Sequence, residues 1–312
     1  MNGSVSAPGK AILLGEHAVV YGKPAIAIPL PQVRAVADFR LNETALTIVA
    51  ADLQRPPWQW DDSATVSSDP LASMAALTLQ HLGICAPKGE ITIRSAIPIA
   101  SGLGSGAAVS AALGRAIAAL CRATLSNAAL NALVFEVEKL HHGSPSGIDN
   151  TTIVFEQPVY FQRGQPNHRI SPTRRLDFLL ADSGVPALTR ESVAAVRQSV
   201  REEPARTNCL LDQIASVAVA ALASLEAGDR MRLGELMTAN HGHLRELGLS
   251  TLELDTLVKA AMQAGALGAK LSGGGRGGNI IALVEPAEAS AVKRALQLAG
   301  AKRVLAASVG GG

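Results

Sequence analysis

The sequence predicts a chain of mixed helices and strands folded as two domains. Three observations carry this. The first fifty residues read almost entirely as short strands. The second half changes to long helical patterns closed by a strand, loop, strand, helix, strand series. Between them, within about 165–176, runs the polar stretch RGQPNHRISPTRR, which suits a boundary better than a packed element. The domains are therefore expected at 1–172 and 173–312.

The elements follow in order. AILL, AIAIPL, RAVADFRL and LTIVA are apolar or alternating and are separated by Gly, Pro and Asn, the pattern of strands. QRPPWQWDDS, which carries both tryptophans, reads as a loop. DPLASMAALTLQHLG (69–83) has helical spacing, with Asp69 as N-cap and Gly83 as stop. GEITIRSAIP is a strand ending at Pro98. The glycine stretch SGLGSGAAVSAAL (101–113) then opens an alanine-rich helix running to about residue 123. Ser126 caps the next helix, which ends near Gly143. DFLLADSG reads as a strand, and helices are expected at about 205–226 and 229–247. STLE, from Ser250, fits a capping box closed by Glu253. The chain ends GAKLS, GGGRGG, NIIALV, PAEASAVKRALQLAG, RVLAASV, in the alternation given above.

Bulk properties exclude several function classes. At 312 residues, with 48% hydrophobic and 17% charged residues, the chain can bury sizeable cores. A net charge of +2 without a basic block argues against a dedicated nucleic-acid or membrane-surface binder. Aromatics at 3% are too few for the stacking platforms of single-strand binders. Cys85, Cys121 and Cys209 are scattered and odd in number, so they read as buried or inert thiols in a reducing compartment. The N-terminus lacks signal-peptide features, and no apolar run reaches about 18 residues without polar interruption. The expected address is the cytoplasm.

Four segments carry chemistry. A strand, then SGLGSGAAVS, then a helix is a phosphate-binding arrangement, because glycine lets backbone N–H groups approach an anion at the helix start. It fits neither common nucleotide pattern. After Gly106 the next acidic residue is Glu136, too far on for a dinucleotide ribose, and no lysine follows as a P-loop requires. A second glycine cluster, KLSGGGRGGN (270–279), lies between two apolar strands and is either a flexible hairpin or part of the same ligand site. EVEKLHHGSPSGIDN (136–150) places Glu138 near a helix end and Asp149 eleven residues later. A hard cation on phosphates needs carboxylate oxygen, and a hydroxyl nucleophile benefits from a positioned carboxylate. The plainer reading is a solvated helix-end glutamate and an Asx-turn aspartate. The adjacent His141 and His142 point different ways on a helix and do not read as metal ligands. APGKAILLGEHAVVYG puts Lys10 before a strand and Glu16 and His17 at its end.

Together these segments resemble the GHMP family of small-molecule kinases. The resemblance covers most of the chain, with three family motifs in order: APGKAILLGEHAVVYGKPAIA, PIASGLGSGAAVS and KLSGGGRGGN. The wording of GEHAVVYGKPA, HGSPSGIDN and LGLSTLELDTL is similar to the branch that phosphorylates mevalonate. The resemblance implies a two-domain α+β fold, ribosomal-protein-like then ferredoxin-like, with ATP and mevalonate in the cleft between domains. It implies transfer to the primary hydroxyl, giving 5-phosphomevalonate for isoprenoid precursor synthesis. By position, Asp149 matches the catalytic aspartate and Lys10 the lysine paired with it. Glu138 matches the Mg²⁺-binding glutamate, with Ser105 also toward the metal. Glu16, His17 and Ser146 match positions near the substrate. Pro98, Ser101, Gly102, Leu103, Gly104, Ser105, Gly106 and Ala107 match the triphosphate loop, and Gly273, Gly274 and Gly275 the third motif.

Two departures stand out. The family's second loop serine, which contacts Mg²⁺, is Gly106 here. The third motif carries Arg276, either a phosphate contact or a solvated charge, and ends in Asn279 where many relatives have cysteine. The rivals are a kinase of the same family acting on phosphomevalonate, galactose or homoserine, and a catalytically silent ATP-binding regulator. The motif wording argues against the first group, and Gly106 is the single feature favouring the second. A homodimer is compatible with the sequence, which does not decide the oligomeric state.

Overall fold

The computed structural model describes residues 2–52, 56–61, 69–98, 101–142, 145–187 and 189–310. Two compact units emerge, each discontinuous in sequence. The first comprises Met1–Gly9, Val33–Pro98 and Gly104–Glu156, and the second Lys10–Gln32, Ile99–Leu103 and Gln157–Gly312. This differs from the consecutive ranges 1–172 and 173–312, because two N-terminal strands and the glycine loop each run from one unit into the other.

The first unit contains parts of β1 (Asn2–Leu14) and β2 (Ala25–Arg40), then β3 (Thr47–Ala50), β4 (Trp58–Gln59), α1 (Pro70–Leu82), β5 (Glu90–Ser95), α2 (Ser105–Leu120), α3 (Asn127–His142) and α4 (Ile148–Phe155). Residues 35–40 of β2 pair antiparallel with β5, β5 pairs parallel with β3, and β3 antiparallel with β4. The expected strands AIAIPL and RAVADFRL are one sixteen-residue strand. Pro29 and Pro31 lie inside it, outside the registers with β5 and with the strand that pairs at 25–27.

The helices α1, α2 and α3 pack against one another. A Cβ on Gly114 would lie 2.5 Å from Met74 Cε and 2.8 Å from Leu130 Cδ1, so a larger residue at this crossing would make both side-chain ends shift. The caps of α1 are those read from the sequence. Asp69 accepts from the N–H groups of Leu71 and Ala72, and Gly83 adopts φ 64°. Ser126 Oγ accepts from Ala129 N at 3.1 Å at the start of α3. The helix α4 was not expected. It has only eight residues, and its N-cap, Gly147, offers no side-chain signal.

The second unit adds β6 (Val159–Phe161), β7 (His168–Arg169), β8 (Leu176–Asp182), α5 (Thr189–Glu202), α6 (Pro204–Ala227), α7 (Arg230–Glu246), α8 (Leu252–Gln263), β9 (Gly268–Ser272), β10 (Asn279–Val284), α9 (Ala289–Leu298) and β11 (Arg303–Val309). Its antiparallel sheet has the order β11-β8-β10-β9. Counted within that sheet this is 4-1-3-2, the ferredoxin-like order, with α5–α8 filling the first crossover. Leu179, Leu211, Leu257, Leu271, Ile280 and Leu296 belong to its core. The helix α7 crosses β9 backbone to backbone: a Cβ on Gly268 would lie 2.1 Å from the Gly234 carbonyl oxygen.

Three expectations need correction here. The N-cap of α8 is Thr251, not Ser250; Thr251 accepts from Leu254 N, while Ser250 Oγ donates to Asp255 at 2.6 Å. The helix α5 was missed, because its few buried positions leave no broad apolar stripe. Cys85 and Cys209 are exposed rather than buried. Among the described residues α6 is long and apolar enough to cross a membrane, with mean hydropathy 1.5 over its best window. Yet Leu211 and Ile214 bury one face of it in the core.

Candidate active site

In the first unit the expected phosphate loop becomes the start of α2. Gly104 is the N-cap at φ 75°, in the left-handed region, and supplies no capping side chain. The first N–H groups of a sixteen-residue helix are thus left to an external acceptor, and the helix dipole favours that acceptor being an anion. Gly106, in the first turn, is exposed. A Cβ built on it would lie 3.2 Å from Oε1 of Glu138, which is buried on α3. So the predicted metal ligand and the position of the missing serine face each other. One carboxylate with the Ser105 hydroxyl suits Mg²⁺, which takes one or two protein carboxylates and completes its shell with phosphate and water.

Asp149 occupies the first turn of α4 and not the Asx turn of the plainer reading; a helix start favours a negative side chain. The helix is fastened at both ends. Asn150 Nδ2 donates to Asn131 Oδ1 on α3 at 2.7 Å. At the C-terminus Glu156, itself at φ 54°, accepts from Arg115 and Arg34 at 2.7 and 2.9 Å. Ser146 Oγ accepts from Ile148 N at 3.3 Å, so this expected substrate residue shapes the entry to α4. Gly143 and Ser144 lie outside the described residues, as do the side chains of His141 and His142.

The second unit brings together residues of all three motifs. Lys10 is buried on β1, and its backbone N–H donates to the Leu103 carbonyl at 2.9 Å. Gly102 and Gly273 meet closely enough that a Cβ on Gly273 would lie 3.8 Å from Gly102 Cα. Both have positive φ, 76° and 90°, which explains glycine at each. Asn279, a departure from the family wording, donates from Nδ2 to the Ser101 carbonyl at 2.7 Å. It thereby ties the first glycine stretch to β10. Arg276 N and Nε donate to the carbonyls of Leu249 and Gly248, so this exposed arginine is anchored to the α7–α8 connection.

Glu16 and His17 follow β1. His17 has φ 60°, unusual for a non-glycine residue, and its Nε2 lies 2.8 Å from the Gly274 carbonyl oxygen. Burial lowers its pKa to about 4, so the ring is neutral and Nε2 carries the proton it donates. Both Glu16 carboxylate oxygens are engaged inside the protein. One pairs with Lys270 Nζ and the other accepts from Asn240 Nδ2 at 3.0 Å. Next to Asn240, His241 accepts from Leu271 N through Nδ1 and bonds Asp255 through Nε2 at 3.1 Å. Sequence reasoning missed Lys270, Asn240 and His241. The available signal was Lys270 itself, a lone charge in the apolar strand GAKLS.

The comparisons agree with this geometry. A model of the GHMP kinases N terminal domain matches residues 70–157, and one described as GHMP kinases C terminal matches residues 221–302. The chain is 36% identical to the mevalonate kinase of Thermococcus onnurineus, over 95% of this chain and 92% of that protein. A crystal structure of L. major mevalonate kinase in complex with R-mevalonate is 29% identical, with a TM-score of 0.83 over 99% of this chain and 96% of that one. The Methanococcus jannaschii mevalonate kinase superposes with a TM-score of 0.88 at 24% identity, covering 100% of this chain and 99% of that chain. From motif order, helix-start geometry and full-length similarity alike, the chain belongs to the GHMP kinase family, in its mevalonate kinase branch.

Proposed function

We propose that the chain transfers the γ-phosphoryl group of ATP to the primary hydroxyl of mevalonate, yielding 5-phosphomevalonate for isoprenoid precursor synthesis. The observation that carries this is similarity to mevalonate kinases along nearly the whole chain, together with retention of Lys10, Glu138 and Asp149. Phosphoryl transfer demands little covalent chemistry from the protein; it demands alignment and charge neutralisation. ATP supplies the phosphoryl group, and Mg²⁺ neutralises charge on its oxygens. The backbone amides opening α2 hold the phosphates. Glu138 and Ser105 would hold the metal. Asp149 would orient the attacking hydroxyl and accept its proton, and Lys10 would supply a positive charge to the reaction.

The helix α6 is read as a core helix, and the expected compartment is the cytoplasm. The test is ADP formation by the purified chain with ATP, Mg²⁺ and, separately, mevalonate, phosphomevalonate, galactose and homoserine. Turnover with mevalonate alone is expected. Equal turnover with galactose or homoserine, or none with mevalonate, rejects the assignment.

A further inference from the structure

Lys270 is wholly buried, at 0% exposure, on a strand whose other residues are apolar or small. Its Nζ donates to Glu16, 254 positions earlier, and to the Leu271 carbonyl at 2.5 Å. Glu16 is 2% exposed, and Asn240, which donates to its second oxygen, is 0% exposed. A buried ion pair is a poor source of net stability, since apolar residues of similar volume often serve as well. What the pair does fix is geometry. Glu16 directly precedes His17, whose backbone, at φ 60° and ψ −44°, persists only where its surroundings over-determine it. The same region is clamped twice more. Ser272 Oγ donates to the Ile12 carbonyl at 2.8 Å, and His241 receives the Leu271 N–H. Two consecutive residues of α7 therefore grip two consecutive residues of β9, one of them through Glu16.

We propose that Lys270 is a positioning residue for phosphoryl transfer: through Glu16 it holds His17 where Nε2–H reaches the Gly274 carbonyl, and so sets the third glycine loop. Glu16 is then a scaffold carboxylate, satisfied by Lys270 and Asn240, and not a substrate ligand. The rate readout of this proposal rests on the kinase reading above; its spectroscopic readout does not.

The experiment compares Lys270→Met, Glu16→Gln and the apolar double variant Lys270→Met/Glu16→Leu. Three quantities are followed: Tm, the kcat and KM for mevalonate, and ¹⁵N-histidine NMR, with the His17 signal assigned by difference against His17→Asn. The single variants should lose Tm, because each leaves a buried charge without its counter-charge. The double variant should regain Tm while kcat stays about 10²-fold down, the cost of misplacing a site from a distance. Its KM for mevalonate should change little. The His17 signal should lose its single Nε2–H tautomer. A folded double variant with either an unchanged His17 signal or a wild-type kcat overturns the proposal. Should the double variant fail to fold, Asn240→Ala decides on the same two readouts, with a smaller fall in kcat expected. Should the unmodified chain not phosphorylate mevalonate, the function assignment falls, and the His17 signal alone decides whether Lys270 sets that ring.

Discussion

The two regions that carry the candidate chemistry are built on opposite principles. At the start of α2 the recognition surface is backbone: Gly104 caps without a side chain, and Gly106 leaves exposed space beside Glu138. Around β9 it is side chain, with Lys270, Glu16, Asn240 and His17 buried and bonded to one another or to the main chain. An amide array tolerates the loss of a serine, because each residue still offers its N–H. A buried charged network does not tolerate the loss of a member, since the partner left behind is uncompensated. The first design accommodates drift in its motif, and the second permits change only in concert.

The sharpest way to break this contrast is Asp149→Asn, which keeps side-chain shape and removes the carboxylate. Turnover should fall about 10²–10⁴-fold while nucleotide binding and Tm persist. Near-normal kcat would make Asp149 an ordinary first-turn residue.

Acid probes the buried region next. Burial lowers the pKa of both His17 and His241 to about 4, below the ordinary 6.5. Between those values the unfolded chain binds more protons than the native one. Stability is therefore full above pH 6.5 and declines as pH falls toward 4, by on the order of 3 kcal/mol for His17. Denaturation midpoints measured from pH 7 to 4 should show this slope. His17→Asn, which cannot titrate, should make it shallower, leaving the His241 contribution. An unaltered slope would mean that His17 is not held neutral.

A smaller effect is expected from Gly106→Ser. The new Cβ would crowd Glu138 Oε1 by a few tenths of an ångström, which a carboxylate can yield, and the hydroxyl then stands beside the proposed metal ligand. Half-saturating Mg²⁺ should fall with KM for mevalonate unchanged. A titration at fixed ATP that shows equal or higher Mg²⁺ demand excludes a vacated ligand position. Smallest is Asp69→Ala, which removes the cap of α1, a helix with no motif residue, and should cost about 1 kcal/mol with kinetics intact. A change in kcat there would mean that the helical layer transmits to the site.

Local signals were legible and distant ones were not. Asp69 and Gly83 bracketed α1 because a cap is a short-range rule, and GAKLS, NIIALV and RVLAASV announced their strands by composition. The capping box at Ser250 was displaced by one residue because Ser250 found a better acceptor in Asp255. The helix α4 was invisible because glycine starts it and eight residues carry little periodicity. The motif residues were readable as a set, but nothing in their wording measured which were already engaged. Glu16 and Lys270 are 254 positions apart, and no spacing rule reaches that far.

That separation also has a history on the ribosome. The segment Lys10–Gln32 belongs to the second unit, yet the lysine that pairs with its Glu16 is made 254 positions later. At translation rates of 5–20 residues per second, roughly 10 to 50 s pass between the synthesis of Glu16 and that of Lys270. Until then Glu16 lacks its counter-charge, and the Ile12 carbonyl lacks the Ser272 hydroxyl that donates to it. Both contacts close only when β9 arrives, so the geometry around His17 is among the late events of this chain's folding.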